Sequence, residues 1–298
     1  MKTPFKKILV PTDFSDTSMQ AIRHAAHLAH ITNAEMLIAH ILPVHQMYYE
    51  MPEPVMTFDD EEESLKVVNE KMEEITQELN KKYKIHPREL KRRGRISSEI
   101  LEIMKTEKVD LVIMGTHGAK GFEEFFIGSN AQKVVNNAIC PVLTIQYHAD
   151  ETGFDNIVLP IDHSPHSREK VGFAVDVAKV YDSTIHIVGL NDDDDPASNN
   201  KLQIIIDQVE HFIRNAGVNY TRHTVKGDNP ADEAMKYGES MNADLIIIMT
   251  DGESKLHGFL PGVSSKHIVN NSKIPVLSVH PHYRTTESWG LDGQSLIY

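Results

Sequence analysis

The chain has 298 residues, 40% of them hydrophobic and 24% charged, the balance of a folded protein of one large or two ordinary domains. A formal net charge of −13 excludes a general attraction to a phosphate backbone, and a single cysteine, Cys140, excludes an intrachain disulfide or a Cys-x-x-Cys metal or redox pair. The longest apolar runs, such as 245–249, are far below membrane-spanning length, and residues 8–10 are too few for a signal peptide, so the expected compartment is the cytoplasm.

Taken in order, residues 8–11 form a short apolar run ending in Asp13, which predicts a strand running into a loop. Residues 18–30 place Ala21, Ala25, Leu28 and Ala29 at helical spacing. A second strand is predicted over 36–41, a proline-containing loop over 43–60, and a charged amphipathic helix over 61–82. Residues 89–93 read as a weaker strand at an edge, and the basic run 91–95 reads as its solvated end. A helix is expected from Ser98, with Ser97 or Ser98 as N-cap and Glu99 in its first turn. Residues 110–114 and 142–145 are apolar strands, and Cys140 is expected in a buried strand as a small hydrophobe.

The chain then repeats itself. DLVIMGTHG at 110–118 returns as DLIIIMTDG at 244–252, and VVNNAICPVLTI at 134–145 returns as IVNNSKIPVLSV at 268–279. KILVPTDFS at 7–15 pairs with NIVLPIDHS at 156–164, and Gly94 pairs with Gly227. One copy covers 1–148 and the other 152–283, with a linker at 149–153 and a tail at 284–298. Buried strands alternating with helices predict a doubly wound α/β domain with a five-stranded parallel sheet, twice in tandem.

Such sheets bind ligands beyond the carboxyl ends of their strands, at the topological switch point. There the first copy carries Pro11, Thr12 and Asp13, then Met114, Gly115, Thr116, His117 and Gly118, and finally Gly128, Ser129 and Asn130 opening a helix. Glycines allow close backbone approach, a helix N-terminus favours phosphate, Ser129 offers a hydroxyl, and Asp13 can accept from a ribose or a base edge.

These residues carry a resemblance. Gly115-x-x-Gly118, nine residues, then Gly128-Ser129, with the V-P-x-D opening and the N-x-x-C-P-V-L close, resemble the universal stress protein family over nearly the whole chain, twice. The resemblance implies Rossmann-like domains of the adenine nucleotide alpha hydrolase-like type, a stress-response role without an established enzymatic activity, and a bound ATP, or AMP or ADP, with Mg2+ accompanying it. By the same resemblance Asp13 and Ile41 would hold adenosine, Gly115 and Gly118 would approach ribose and phosphate, and Gly128, Ser129 and Asn130 would receive the phosphates. It also implies an intrachain pseudo-dimer of the two copies along residues 142–145 and 276–279, open to further homodimerisation, with neither nucleic acid nor membrane as partner.

The second copy keeps Asp162, Gly252 and Gly262, but Met249 stands in the place of Gly115 and Val263 in the place of Ser129. One nucleotide per chain is therefore expected, in the first copy. There Glu123 and Glu124 oppose phosphate and Lys120 offsets them in part. Three further patterns are read as structural: His24, His27 and His30 drift around their helix, His280 and His282 close a strand into a tail, and 192–195 lacks the glycine and final glutamate of a calcium loop. Two other functional classes stay open, a ligand-free scaffold and an adenylating enzyme. The latter lacks its pyrophosphate loop after the first strand, and no general base pairs with a nucleophile.

Overall fold

The computed structural model of the chain describes residues 5–43, 58–116, 127–146, 152–191, 195–227, 229–250 and 263–280. Two compact units emerge, one of Phe5–Ala138 with Val142–Thr152 and one built on Gly153–Tyr298.

The first unit runs β1 (Lys7–Pro11), α1 (Asp16–Thr32), β2 (Glu35–Pro43), α2 (Phe58–Tyr83), β3 (Arg88–Gly94), α3 (Ile96–Thr106), β4 (Leu111–Gly115), α4 (Ser129–Asn137) and β5 (Val142–Ile145). The strands lie in the order β3-β2-β1-β4-β5 and every pairing between them is parallel. The central strands are apolar inside, with Ile8, Leu9 and Val10 of β1, Leu37 and Ile38 of β2, and Val112 and Ile113 of β4 all at 0% exposure. β3 is the exposed edge, and its charged sequence suits a strand that must not recruit another. Helix α1 starts at the Ser15 N-cap, whose hydroxyl accepts from the Ser18 N–H, and stops where Asn33 turns left-handed at φ 58°.

The second unit repeats the plan with β6 (Asn156–Ile161), α5 (Val171–Tyr181), β7 (Thr184–Asn191), α6 (Pro196–Asn215), β8 (Asn219–Lys226), α7 (Pro230–Ser240), β9 (Leu245–Met249), α8 (Val263–Asn271) and β10 (Val276–Val279). Its strands lie β10-β9-β6-β7-β8, again parallel throughout. The doubly wound five-stranded reading therefore holds in both copies. One departure from the repeat matters later. A 3-10 turn, Pro165–Arg168, takes the place of the first turns of α1, and α5 begins only at Val171.

Several expectations need correction. Helix α3 begins at Ile96 with Arg95 in the N-cap position and no side-chain cap, so Ser97 and Ser98 lie within the first turn instead of ahead of it. Cys140 is buried as expected, but in the bend that leads into β5 and not in a strand. Asp110 stands just before β4, not in it. Of 192–195 only Asp195 is described, and it is the N-cap of α6, accepting from the Ser198 N–H at 3.1 Å. Most of the 43–60 loop and His282 lie outside the described residues. Among the described residues, no group of three or more His, Cys, Asp and Glu side chains is placed to hold a metal ion, and no helix is long and apolar enough to cross a membrane.

Burial raises the Asp176 carboxyl on α5 to about 6, with Lys179 offsetting only part of the rise. A folded-state pKa above the unfolded one contributes stability below the unfolded value, and that contribution is lost as pH rises through the folded value. Asp176→Asn should therefore stabilise the second unit at pH 7.5 by about 1 kcal/mol, a figure reduced for the solvent that reaches this half-buried group. At pH 4 the gain should vanish. Urea midpoints at the two pH values measure this, and equal effects at both would contradict it.

Candidate functional site

The register of β1 opens the site. Its ladder with β2 runs to Pro11↔Ala39, but its ladder with β4 pairs Ile8↔Leu111 and Leu9↔Val112, so β1 and β4 part towards their carboxyl ends. This gap is the switch point, because the chain leaves β1 towards β2 on one side and β4 lies on the other.

Thr12 and Asp13 line one wall. Thr12 continues the strand by donating its N–H to the Ala39 carbonyl at 2.8 Å, and its hydroxyl lies 3.0 Å from that of Ser18. The Asp13 carboxylate accepts from both the backbone N–H and the hydroxyl of Ser15, at 3.1 and 2.5 Å, so it anchors the turn into α1 while staying exposed. Phe14 follows in the left-handed region at φ 64°. Its ring stacks on His40, with centroids 4.6 Å apart, and Lys71 of α2 lies over it at 5.1 Å. His40 Nδ1 bonds to the Thr12 carbonyl at 2.9 Å, and burial holds its pKa below the ordinary imidazole value. Ile41, in β2, is buried.

The other wall comes from β4 and α4. Met114 and Gly115 close β4, and the Thr116 N–H continues its ladder to the Ile145 carbonyl at 3.0 Å. The chain returns from residues 117–126, which lie outside the described residues together with Gly118, Lys120, Glu123 and Glu124, and the Gly128 N–H donates to the Thr116 carbonyl at 2.6 Å. That bond brings the two ends of the glycine signature together. Gly128 is the N-cap of α4 and uses no side chain to cap it, so the N–H groups of the first turn, beginning with Ser129 and Asn130, present their positive end at this edge. Pro11, Thr12, Asp13, Met114, Gly115, Gly128, Ser129 and Asn130 thus share the carboxyl edge of one sheet, with Ile41 in the next strand.

Gly115 differs from its expected role. A Cβ built there would lie 2.9 Å from the Thr17 carbonyl carbon and 3.0 Å from the Thr17 Cβ and Oγ1. The space it leaves is used by the first turn of α1. Beyond Thr12, the hydroxyl residues of this turn, Ser15, Thr17 and Ser18, were not singled out from the sequence, nor were the His40–Phe14 stack and Lys71. The clustering of four hydroxyl residues right after β1 was the signal available for the first of these.

The second unit keeps part of this geometry. Its β6 ladder with β7 runs to Ile161↔Gly189, while its ladder with β9 pairs Ile157↔Leu245 and Val158↔Ile246. Asp162 accepts from the Ser164 N–H at 2.9 Å, as Asp13 does from Ser15. Met249 closes β9 and is buried. Gly252 and Gly262 lie outside the described residues, and Val263 opens α8.

Comparison with known proteins bears on the family and on the tandem fold. The model of the universal stress protein family matches residues 4–146 and again 153–280. A universal stress protein of Methanocaldococcus jannaschii is 34% identical over 151 residues, covering 48% of this chain and 82% of its own. One of Thermus aquaticus is 35% identical over 147 residues, covering 48% of this chain and 99% of its own. The crystal structure of a universal stress protein from Archaeoglobus fulgidus covers 93% of this chain and 98% of its own with a TM-score of 0.72, at 19% identity, a likeness of fold.

Proposed function

The chain belongs to the universal stress protein family, and from that premise we propose that its first half binds an adenine nucleotide, ATP or its di- or monophosphate, while the second half serves pairing or regulation. The observation that carries the reading is the 2.6 Å bond from the Gly128 N–H to the Thr116 carbonyl. It sets the start of α4 beside the gap between β1 and β4, with Asp13 across from it. A helix N-terminus with a flanking hydroxyl, Ser129, suits phosphate, and a carboxylate at the facing strand end suits a ribose or a base edge. Mg2+ would enter with the phosphates. The role is binding, and its setting the cytoplasm.

One observation favours the scaffold reading instead. Gly115, a member of the glycine signature, is accounted for by helix packing against Thr17 and needs no ligand.

Calorimetric titration of the full chain with ATP separates the two. A stoichiometry near one per chain is expected, and Asp13→Ala should weaken binding about tenfold, the scale of losing a hydrogen bond to a charged group. The variant's melting curve must match the parent's, since Asp13 also anchors the turn at Ser15. Two nucleotides per chain would remove the asymmetry between the halves. None would leave the scaffold.

A further inference from the structure

Lys170 is the residue of the second half that packing alone explains least. Lysines are almost never fully buried unless paired, yet Lys170 is 3% exposed. It stands in the N-cap position of α5, and its Nζ donates to the Ser167 carbonyl at 2.7 Å and lies 3.4 Å from the Ser167 hydroxyl. That hydroxyl accepts the Asp162 N–H at 3.0 Å. Burial lowers the Lys170 ammonium to about 8, and the Asp162 charge resists the fall. Burial would raise the Asp162 carboxyl, but Lys170, together with hydrogen bonds from Ser164 and Ser167, outweighs it and holds the group below its ordinary range. The cluster sits where β6 parts from β9. By the repeat, Asp162 corresponds to Asp13 and Lys170 to Ala21.

A second set of contacts closes the same edge from the other side. His163, the counterpart of Phe14, bonds through Nε2 to the Ser198 hydroxyl of α6 at 3.2 Å. Asn191, at the end of β7, donates its side-chain amide to the Asn199 side chain of α6. Arg168 of the 3-10 turn donates to Gln208 of α6 at 2.6 Å. In the second half these strand ends are held to α6 by side-chain hydrogen bonds, where in the first half the corresponding contact is Lys71 of α2 over the Phe14 ring.

We infer that the second half is closed from within: Lys170 is a tethered cation that fills its switch-point crevice, and the amino-terminal turns of α6 are the cover. A diffusible nucleotide then meets a crevice already holding a cation, and a carboxylate set beside that cation, where the first half offers the exposed Asp13. This rests on the reading of the first crevice as the nucleotide site. Together with Met249, the closure makes the second half's conformation independent of ligand.

Hydrogen exchange read by mass spectrometry on the full chain tests it, with and without ATP, for the parent, Lys170→Met and the double variant Lys170→Met/Asp162→Asn. Peptides over 162–170 of the parent should be protected without nucleotide and unchanged by ATP. Lys170→Met should speed exchange there about tenfold, because it leaves the half-buried Asp162 carboxylate without its neighbouring charge and the Ser167 carbonyl without its donor. The double variant should restore protection even if the single one unfolds that half. Peptides over 114–130 should slow with ATP in all three proteins. If they do not, the nucleotide reading fails while the closure is still judged on 162–170. ATP-dependent slowing at 162–170 in the parent would overturn the inference. So would parent-like exchange in Lys170→Met, or a double variant no better protected than the single one.

Discussion

Gly115→Met, which gives the first half the residue of the second, should destabilise that half by about 3 kcal/mol and abolish ATP binding. The new Cβ would meet the Thr17 backbone at 2.9 Å, and a backbone in the first turn of a helix has no soft way to retreat. α1 would have to unwind from its start, taking with it the Ser15 N-cap, the Asp13 turn and the contact between the Thr12 and Ser18 hydroxyls. The second unit displays the result of such a change. Met249 occupies the position, and the helix opposite begins at Val171 behind a 3-10 turn, whereas α1 begins at Asp16, whose counterpart by the repeat is Pro165. Urea unfolding and ATP titration measure the two effects. Unchanged stability together with unchanged affinity would show that α1 does not depend on the missing Cβ.

The second large effect is expected at the opposite edge of the sheets. The Asp244 carboxylate accepts the backbone N–H groups of Asp155 and Asn156, both at 2.8 Å, while its own N–H donates to the Asn156 carbonyl at 2.9 Å. Asp110 does the same in the first unit, accepting from Lys6 at 3.0 Å and Lys7 at 2.8 Å and donating to the Lys7 carbonyl at 2.9 Å. Each carboxylate thus pins the start of the central strand to the start of its neighbour. A hydrogen bond to a charged group contributes about 1.5–3 kcal/mol, and two that share one oxygen do not add fully. Asp244→Ala should therefore cost about 2–3 kcal/mol, and Asp110→Ala a similar amount in its own half. Asp244→Asn should keep part of the clamp, since an amide oxygen still accepts. Asp244→Ala should leave ATP affinity unchanged, because the clamp lies at the amino edge. Unfolding free energies from urea titration that change by less than about 0.5 kcal/mol would remove the clamp as a stabilising element.

Much of this was legible in advance, for stated reasons. Continuous apolar strands such as 8–10, 111–113 and 245–248 can only be central strands covered on both faces, and their alternation with helices leaves a parallel sheet. Helix starts were less legible. Ser97 and Ser98 looked like caps, but the tight approach of Glu99 to Gly94 and the end of β3 start α3 at Ile96. Lys170 in Ser-Arg-Glu-Lys-Val carries no signal of its place, since nothing local distinguishes a lysine that will be buried against Ser167 near Asp162 from one that faces water.

The amino-acid sequence by itself determined the duplication, the two doubly wound sheets, and the strand ends at which a ligand could sit, because hydrophobic periodicity and repeated motifs are properties of neighbours along the chain. Only the tertiary structure decided what occupies the space at those ends. A glycine leaves the same gap in the sequence whether a nucleotide or a helix will use it, and at Gly115 it is Thr17 that does. A carboxylate after the first strand reads the same in both halves. Yet Asp13 stays exposed, while Asp162 is compensated by a buried ammonium brought to it by a change of helix start eight residues on. These are contacts between elements, and their distances are set by packing.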